Sequence, residues 1–320
     1  MKKIVVIGGG HGQSVILRGL KLLEDVELST IVTVADDGGS TGRLRRQFHI
    51  PAMGDIRNVM VALSEEENLL SRLMNYRFQK DDNSEMSGHN LGNLILTALS
   101  EETGSFMEAI QMISKVLNVK GNIIPATTQV ITLFARMEDG TIVRGEENIP
   151  NFDNRISEVF YEEEVVACPE AVERIVDADY IVIGIGSLYT SILPNLIIKG
   201  ILDAITRSKA KRIYFCNAMS QPGETDGYSL EDHVRAIEKQ TYPGFVQVVV
   251  KDNDDMGEAF IQKYGEKGAI RVRAVEKHHD YQLIHRDLLD FSEGLVRHDS
   301  HKIYECMKQI IEEDEDVLYK

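Results

Sequence analysis

The chain reads as an α/β protein, a Rossmann-like three-layer sandwich with a mostly parallel sheet and a small antiparallel addition. Three observations predict this. The β-branched run Ile4-Val5-Val6-Ile7 leads directly into Gly8-Gly9-Gly10-His11-Gly12-Gln13-Ser14 and an amphipathic segment, which spells strand, tight turn and helix. Strand-like and helix-like segments then alternate along the chain, as a parallel sheet with helices on both faces requires. Finally, residues 130–135 followed by Asp139-Gly140-Thr141 and Ile142-Val143 read as a hairpin around a Gly-containing turn.

The first turn is the clearest candidate for phosphate binding. Without a Cβ, glycine lets the backbone approach a pyrophosphate, and the N–H groups of the next helix face its oxygens. The match to G-x-G-x-x-G is incomplete: Gly8, Gly10 and Gly12 are present, but Gln13 fills the last glycine slot. A plain strand-to-helix turn is the alternative. Candidate ligand residues here are Gly9, Gly10, His11 and Gly12, with the helix expected over residues 14–23.

The next strand, expected over residues 28–34, ends in Ala35-Asp36-Asp37-Gly38-Gly39-Ser40-Thr41-Gly42-Arg43. An acidic residue at this strand end can accept bonds from ribose hydroxyls. With two adjacent carboxylates, one can bind sugar and the other a metal. Ser40, Thr41 and Arg43 add hydroxyls and positive charge suited to phosphate. Gly54-Asp55-Ile56-Arg57-Asn58 follows, opening a helix over residues 56–63. Asp55 either caps that helix or supplies a further carboxylate; Arg57 either pairs locally or meets an anionic substrate group.

Ser87-Gly88-His89-Asn90-Leu91-Gly92-Asn93 enters a helix over residues 91–99. His89, Asn90 and Asn93 are read as caps or as ligand-binding groups. Further helices are expected over residues 106–116, 170–176, 230–238 and 256–262, and strands over 130–134, 180–185, 212–216 and 246–250. The strand over 180–185 repeats the N-terminal design, ending in Gly186-Ser187-Leu188-Tyr189-Thr190-Ser191. These hydroxyls bind phosphate or cap a helix, and the context is not that of a serine-hydrolase elbow. The strand over 212–216 ends at Asn217, placed to bond a base, a sugar or a neighbouring loop. His278 and His279 point to opposite sides of an extended chain and make a poor zinc pair. Arg297 suits an anion if the final helix, over residues 302–311, folds back over the cleft.

Composition narrows the function classes. The 320 residues are 43% apolar, enough for a sizeable core. A net charge of −16 argues against gripping nucleic acid by its phosphates. Three widely spaced cysteines give neither a disulfide framework nor zinc spacing, so a reducing cytoplasm is expected. No membrane insertion is expected, because the apolar runs are too short.

Taken in order, the motifs at residues 8–12, 35–43, 54–57, 88–93, 186–191 and 216–225 resemble the YvcK-type gluconeogenesis factor family over essentially the whole chain. That family is similar to the CofD-type 2-phospho-L-lactate transferases, which move a phospholactyl group from a nucleotide-activated donor with a divalent metal. The resemblance implies a single Rossmann-like nucleotide-binding domain over residues 1–320. It implies a nucleotide-sugar ligand such as UDP-N-acetylglucosamine and a role in gluconeogenic growth, cell shape and envelope synthesis. It implies phosphate contacts at Gly10, His11 and Gly12, with Asn217 and Arg297 also in the site. Asp36, Asp37 and Asp55 become the catalytic candidates if the protein is a transferase, with Asp37 and Asp55 holding Mg2+. NAD is a further ligand that the glycine turn permits, although no proton relay for a dehydrogenase is visible. A homodimer and protein partners in envelope synthesis are the remaining expectations.

Overall fold

The computed structural model describes residues 1–65, 69–81, 84–253, 256–292 and 295–318. Residues 4–7 are each at most 2% exposed, so their β-branched side chains are buried on both faces of the sheet. They belong to β1 (Lys2–Gly8), which is followed by α1 (Gly10–Leu20), β2 (Val26–Val32), α2 (Gly39–Phe48), α3 (Gly54–Leu63), α4 (Leu69–Asn75), α5 (Leu91–Thr103), α6 (Phe106–Val116) and β3 (Asn122–Pro125). A small antiparallel sheet comes next, with β4 (Phe134–Met137) paired to both β5 (Ile142–Arg144) and β6 (Ile156–Phe160). The chain returns to the main sheet through α7 (Pro169–Val176) and β7 (Tyr180–Gly184). A π-helical turn, Leu188–Ile192, leads into α8 (Leu193–Leu196), α9 (Lys199–Arg207), β8 (Lys211–Phe215) and α10 (Leu230–Gln240). The remaining elements are β9 (Val248–Asp252), α11 (Glu258–Gly265), β10 (Gln282–Arg286), the short ribbon β11 (Leu289–Asp290) and β12 (Arg297–His298), and α12 (Ser300–Leu318).

The main sheet has the order β10-β9-β8-β7-β1-β2-β3. Every pairing in it is parallel. From β1 the chain winds outward through β2 and β3, then restarts on the other side of β1 at β7. The reversal opens a crevice at the carboxyl ends of β1 and β7, where α/β sheets bind ligands. The expected α/β layering, parallel sheet and small antiparallel addition are therefore all present.

The hairpin forms, but its first strand starts later than expected. Residues 130–133 lie outside the strand: Arg45 takes the Ile131 carbonyl, while the Gly145 N–H to the Leu133 carbonyl at 2.8 Å continues the β4–β5 pairing by one step. Cys168, Cys216 and Cys306 are buried free thiols. Among the described residues, no single helix is long and apolar enough to cross a membrane. The last helix does not fold back over the cleft: it runs along α1 toward the amino ends of the strands, where Lys211, at the start of β8, donates to Asp314 at 2.6 Å. Its first turn packs on α1, where a Cβ on Gly19 would stand 2.3 Å from the Ser300 carbonyl oxygen. Asp299 caps it, accepting the Lys302 N–H at 2.9 Å.

Candidate functional site

The crevice is built from the glycine turn outward. A Cβ at Gly12 would lie 2.1 Å from the Ile185 carbonyl oxygen, so the start of α1 sits directly against the end of β7. Gln13, the residue in the imperfect glycine slot, is fully buried. Its amide donates to Thr30 Oγ1 at 2.7 Å and to the Ile31 carbonyl at 2.9 Å, tying α1 to β2. Asp55, in the first turn of α3, accepts the Gly10 N–H; burial, then the charge of Asp36, pushes its carboxyl up to about 6. At His11, desolvation and then the charges of Arg57, Arg18 and Arg297 hold the imidazole below its ordinary value. The turn therefore faces both a carboxyl and a group of arginines.

The acidic strand end divides its work. Asp36 Oδ1 accepts the Gly38 N–H at 2.9 Å, and burial raises its carboxyl. Asp37 Oδ1 accepts the Glu147 N–H at 3.0 Å, reaching toward the segment that follows β5. Arg45 is structural, donating to the Asp36 carbonyl at 2.7 Å and the Ala35 carbonyl at 3.2 Å.

Ser40, Thr41, Asn90 and Asn93 meet one another rather than standing apart. Ser40 Oγ lies 3.1 Å from His89 Nδ1 and accepts the Asn90 N–H at 3.2 Å. Asn93 Nδ2 donates to Thr41 Oγ1 at 3.3 Å, and Asn90 caps α5 by accepting the Asn93 N–H at 3.1 Å. This network fixes α2 against α5. Arg43 joins it through the Ser87 carbonyl at 2.6 Å.

At the second turn, Asn217 holds the backbone of Gly186 from both sides. Its Oδ1 accepts the Gly186 N–H at 3.1 Å and its Nδ2 donates to the Gly186 carbonyl at 2.8 Å. Ser187 Oγ accepts from Gln221 at 2.9 Å. The Tyr189 N–H goes to Glu224 at 3.0 Å, the Thr190 hydroxyl goes to the same carboxylate at 2.9 Å, and the Tyr189 hydroxyl meets Tyr228 at 2.8 Å. Glu224 thus fills the helix N-terminus that the sequence offers to phosphate. Replacing Asn217 with Ala leaves both polar groups of Gly186 unpaired. Urea unfolding of that variant is expected to show a loss of about 2 kcal/mol.

Arg57 stands behind the glycine turn. It is 7% exposed, its Nη2 donates to Asn58 Oδ1 at 2.5 Å, and its Nε and Nη1 have no hydrogen-bond partner. Burial, then the charge of Arg77, lowers it to about 10. Arg297 lies on β12, from where its charge reaches His11.

Two further carboxyls complete the crevice, one within the 216–225 motif and one outside every motif read from the sequence. Glu224 is one. Glu146 is the other: burial, then the charges of Asp36, Asp55, Glu224 and Asp37, push its carboxyl up to about 8. A lone Glu between a hairpin and a loop carries no spacing signal, so its place emerges only from tertiary packing. Among the described residues, no group of three or more His, Cys, Asp or Glu is arranged to hold a metal ion.

Comparison with known proteins converges on one family. A family model described as 2-phospho-L-lactate transferase CofD matches residues 4–289. A Bacillus subtilis (strain 168) protein named "Gluconeogenesis factor" is 43% identical over 315 residues, covering 97% of this chain and 98% of its own. A protein of the same name from Listeria monocytogenes is 43% identical over 313 residues, covering 95% of this chain and 94% of its own. A crystal structure of a upf0052 family member from Bacillus halodurans superposes with a TM-score of 0.91 at 44% identity, covering 96% of this chain and 99% of that one.

Proposed function

The chain belongs to the CofD family, alongside relatives named gluconeogenesis factor, and from that premise we propose that it is a regulator that binds a nucleotide-sugar at the β1/β7 crevice. The observation that carries this reading is Arg57. A guanidinium 7% exposed, with two nitrogens unpartnered, is costly to bury unless its charge has a use. A pyrophosphate at the glycine turn gives it one: the phosphate meets the N–H groups that open α1 while Arg57, with Arg297 on the rim, balances the charge. Asp36, at the end of β2, is placed for ribose hydroxyls.

The ligand we favour is a UDP-sugar such as UDP-N-acetylglucosamine, with NAD as a competitor for the same turn. On this reading the protein reports the supply of an envelope precursor during gluconeogenic growth, in the cytoplasm, through protein partners. The family's transferase chemistry is the second reading. It is favoured by the Asp36, Asp55 and Glu146 carboxyls grouped beside the turn, and it requires a divalent cation such as Mg2+ brought in with the donor.

Calorimetric titration with UDP-N-acetylglucosamine, UDP, GDP and NAD, each with and without magnesium, separates the two. Metal-independent binding with unchanged ligand recovered supports the regulator. Binding that requires magnesium and ends in a broken pyrophosphate linkage replaces it with the transferase. In either case Arg57→Met is expected to weaken nucleotide binding at least about tenfold while leaving the fold intact. Circular dichroism and the same titration check this, and unchanged affinity removes Arg57 from the site.

A further inference from the structure

The segment linking β5 to β6 begins with a strap, residues 145–151, that spans both lips of the crevice. On one side Asp37 grips it: Asp37 Oδ1 accepts the Glu147 N–H at 3.0 Å, and a Cβ on Gly145, whose φ is +94°, would stand 2.7 Å from Asp37 Oδ2. On the other side the turn at Gly223, with φ of +83°, lies so close that a Cβ there would be 1.9 Å from the Pro150 carbonyl oxygen. Between these two clamps Ile149 is fully buried in the main core, and the Glu147 carbonyl accepts Asn151 Nδ2 at 2.7 Å. The backbone that carries Glu147 is therefore held from both ends, while its side chain is exposed.

That side chain reaches the end of β2. Gly38, the N-cap of α2, has no Cβ, and a Cβ there would lie 3.3 Å from Glu147 Oε1 and 3.5 Å from Asp36 Oδ1. The two carboxylates thus flank one bare patch of backbone. Asp36 Oδ1 already accepts the Gly38 N–H at 2.9 Å, whereas the Glu147 carboxylate makes no hydrogen bond or ion pair among the described residues. Arg45 brings no free donor to this end, because its Nη atoms go to the carbonyls of Ala35, Asp36 and Ile131.

Resting on the nucleotide reading above, we propose that Glu147 is a ligand-contacting residue and that, with Asp36, it selects a ribonucleotide whose 2′,3′-diol is free. An ionised carboxylate only accepts hydrogen bonds. A vicinal diol laid over Gly38 offers two O–H donors, one for each carboxylate. A ribose with a phosphate at either position offers the same two groups acceptors and negative charge, and is repelled. A deoxyribose leaves one carboxylate without its donor. Glycine at position 38 lets the sugar edge come down between them, since no Cβ stands in its path. Because Asp37 and Gly223 fix the strap, Glu147 is in place before the ligand arrives and binding orders little. The small antiparallel sheet then carries one half of a ribose clamp, and the end of β2 carries the other.

The test is calorimetric titration of the full chain with whichever of UDP and GDP binds, and with its 2′-deoxy and 3′-deoxy analogues, in EDTA and again in magnesium. The proteins are the wild type, Glu147→Ala and Glu147→Gln. The strap is held through the Glu147 backbone, which both variants keep. The wild type is expected to prefer the ribonucleotide to each deoxy analogue by about tenfold or more. Glu147→Ala should bind the ribonucleotide about tenfold more weakly, yet bind one of the two analogues within about twofold of the wild type, because that analogue lacks the hydroxyl Glu147 holds. Glu147→Gln keeps an acceptor oxygen without the charge and should fall between the two. If Glu147→Ala binds the ribonucleotide as the wild type does, or loses the same factor against all three ligands, Glu147 touches no ribose hydroxyl and the proposal is overturned while nucleotide binding stands. An effect of Glu147→Ala seen only in magnesium assigns the carboxylate to a cation and overturns it as well. If the wild type binds neither diphosphate, the nucleotide reading falls and the Glu147 proposal with it.

Discussion

Gly12→Ala is expected to destabilise the fold by about 3 kcal/mol or more and to abolish nucleotide binding, because the added methyl has nowhere to go. Its carbon would lie 2.1 Å from the Ile185 carbonyl oxygen and 2.9 Å from the Gly186 nitrogen. Both are backbone atoms, so no rotamer change relieves the contact. Gly186 is held by Asn217 on both sides, so the β7 end cannot recede without breaking those bonds. The start of α1 must move instead, and with it the Gly10 N–H that Asp55 accepts. Urea unfolding reads the first effect and calorimetry the second. A variant with wild-type stability would mean that the turn has slack the contact distances deny.

That turn also shows what was legible in the sequence. A run of β-branched residues buried on both faces predicts a central parallel strand, and glycines at its end predict a tight turn; β1 and Gly12 follow from those features. The helices with a clear apolar face, α5, α6, α7 and α10, fall where their periodicity puts them. Five strands left no comparable trace: β3, β6, β10 and the two-residue β11 and β12. β3 is four residues long with Asn122 and Pro125 at its ends, β6 is five residues long without alternation, its buried Ile156 and Val159 standing three apart, and β10 carries Gln282, His285 and Arg286 at an outer position of the sheet. Pattern reading is weakest where a strand is short or polar, because burial no longer dictates its residues.

The site was legible in part for a related reason. Local motifs mark where the backbone turns at strand ends, so Gly10, Asp36, Asp55 and Arg57 were all in view. What local sequence does not encode is which polar groups satisfy one another across elements. Ser40, Thr41, Asn90 and Asn93 read as ligand candidates, yet their hydrogen bonds run to one another. Glu146 and Glu224 are distant in sequence from the glycine turn and are brought to the crevice by the strap and by the turn after β8. Such pairing is a property of tertiary packing, and a single sequence carries no signal for it.

Asp55→Asn is expected to stabilise the protein above pH 6 by about 2 kcal/mol, an effect that disappears below about pH 4. Burial and the neighbouring Asp36 raise the folded-state carboxyl from 3.8 to about 6. The folded form therefore holds its proton more tightly than the unfolded chain does. Wild-type stability is fullest below the unfolded value and is lost as pH rises through the folded one. A tenfold difference in proton affinity between the two states is worth about 1.4 kcal/mol, reduced here because Asp36 shares the burden. Asn carries no charge, yet its oxygen still accepts the Gly10 N–H, so the variant escapes the loss. Urea unfolding between about pH 4 and about pH 8 checks the sign; a wild type that gains on Asp55→Asn with rising pH would refute it. The same substitution bears on function. Ionised Asp55 repels a phosphate at the glycine turn and Asn does not, so a nucleotide-binding regulator should bind its ligand more tightly as Asp55→Asn at about pH 8. Weaker binding, or loss of a turnover that the wild type shows, would instead put Asp55 in contact with a cation on the ligand and favour the transferase reading. A carboxyl kept in the crevice at a cost to stability is the kind of conflict expected at a working site, where function outweighs the fold.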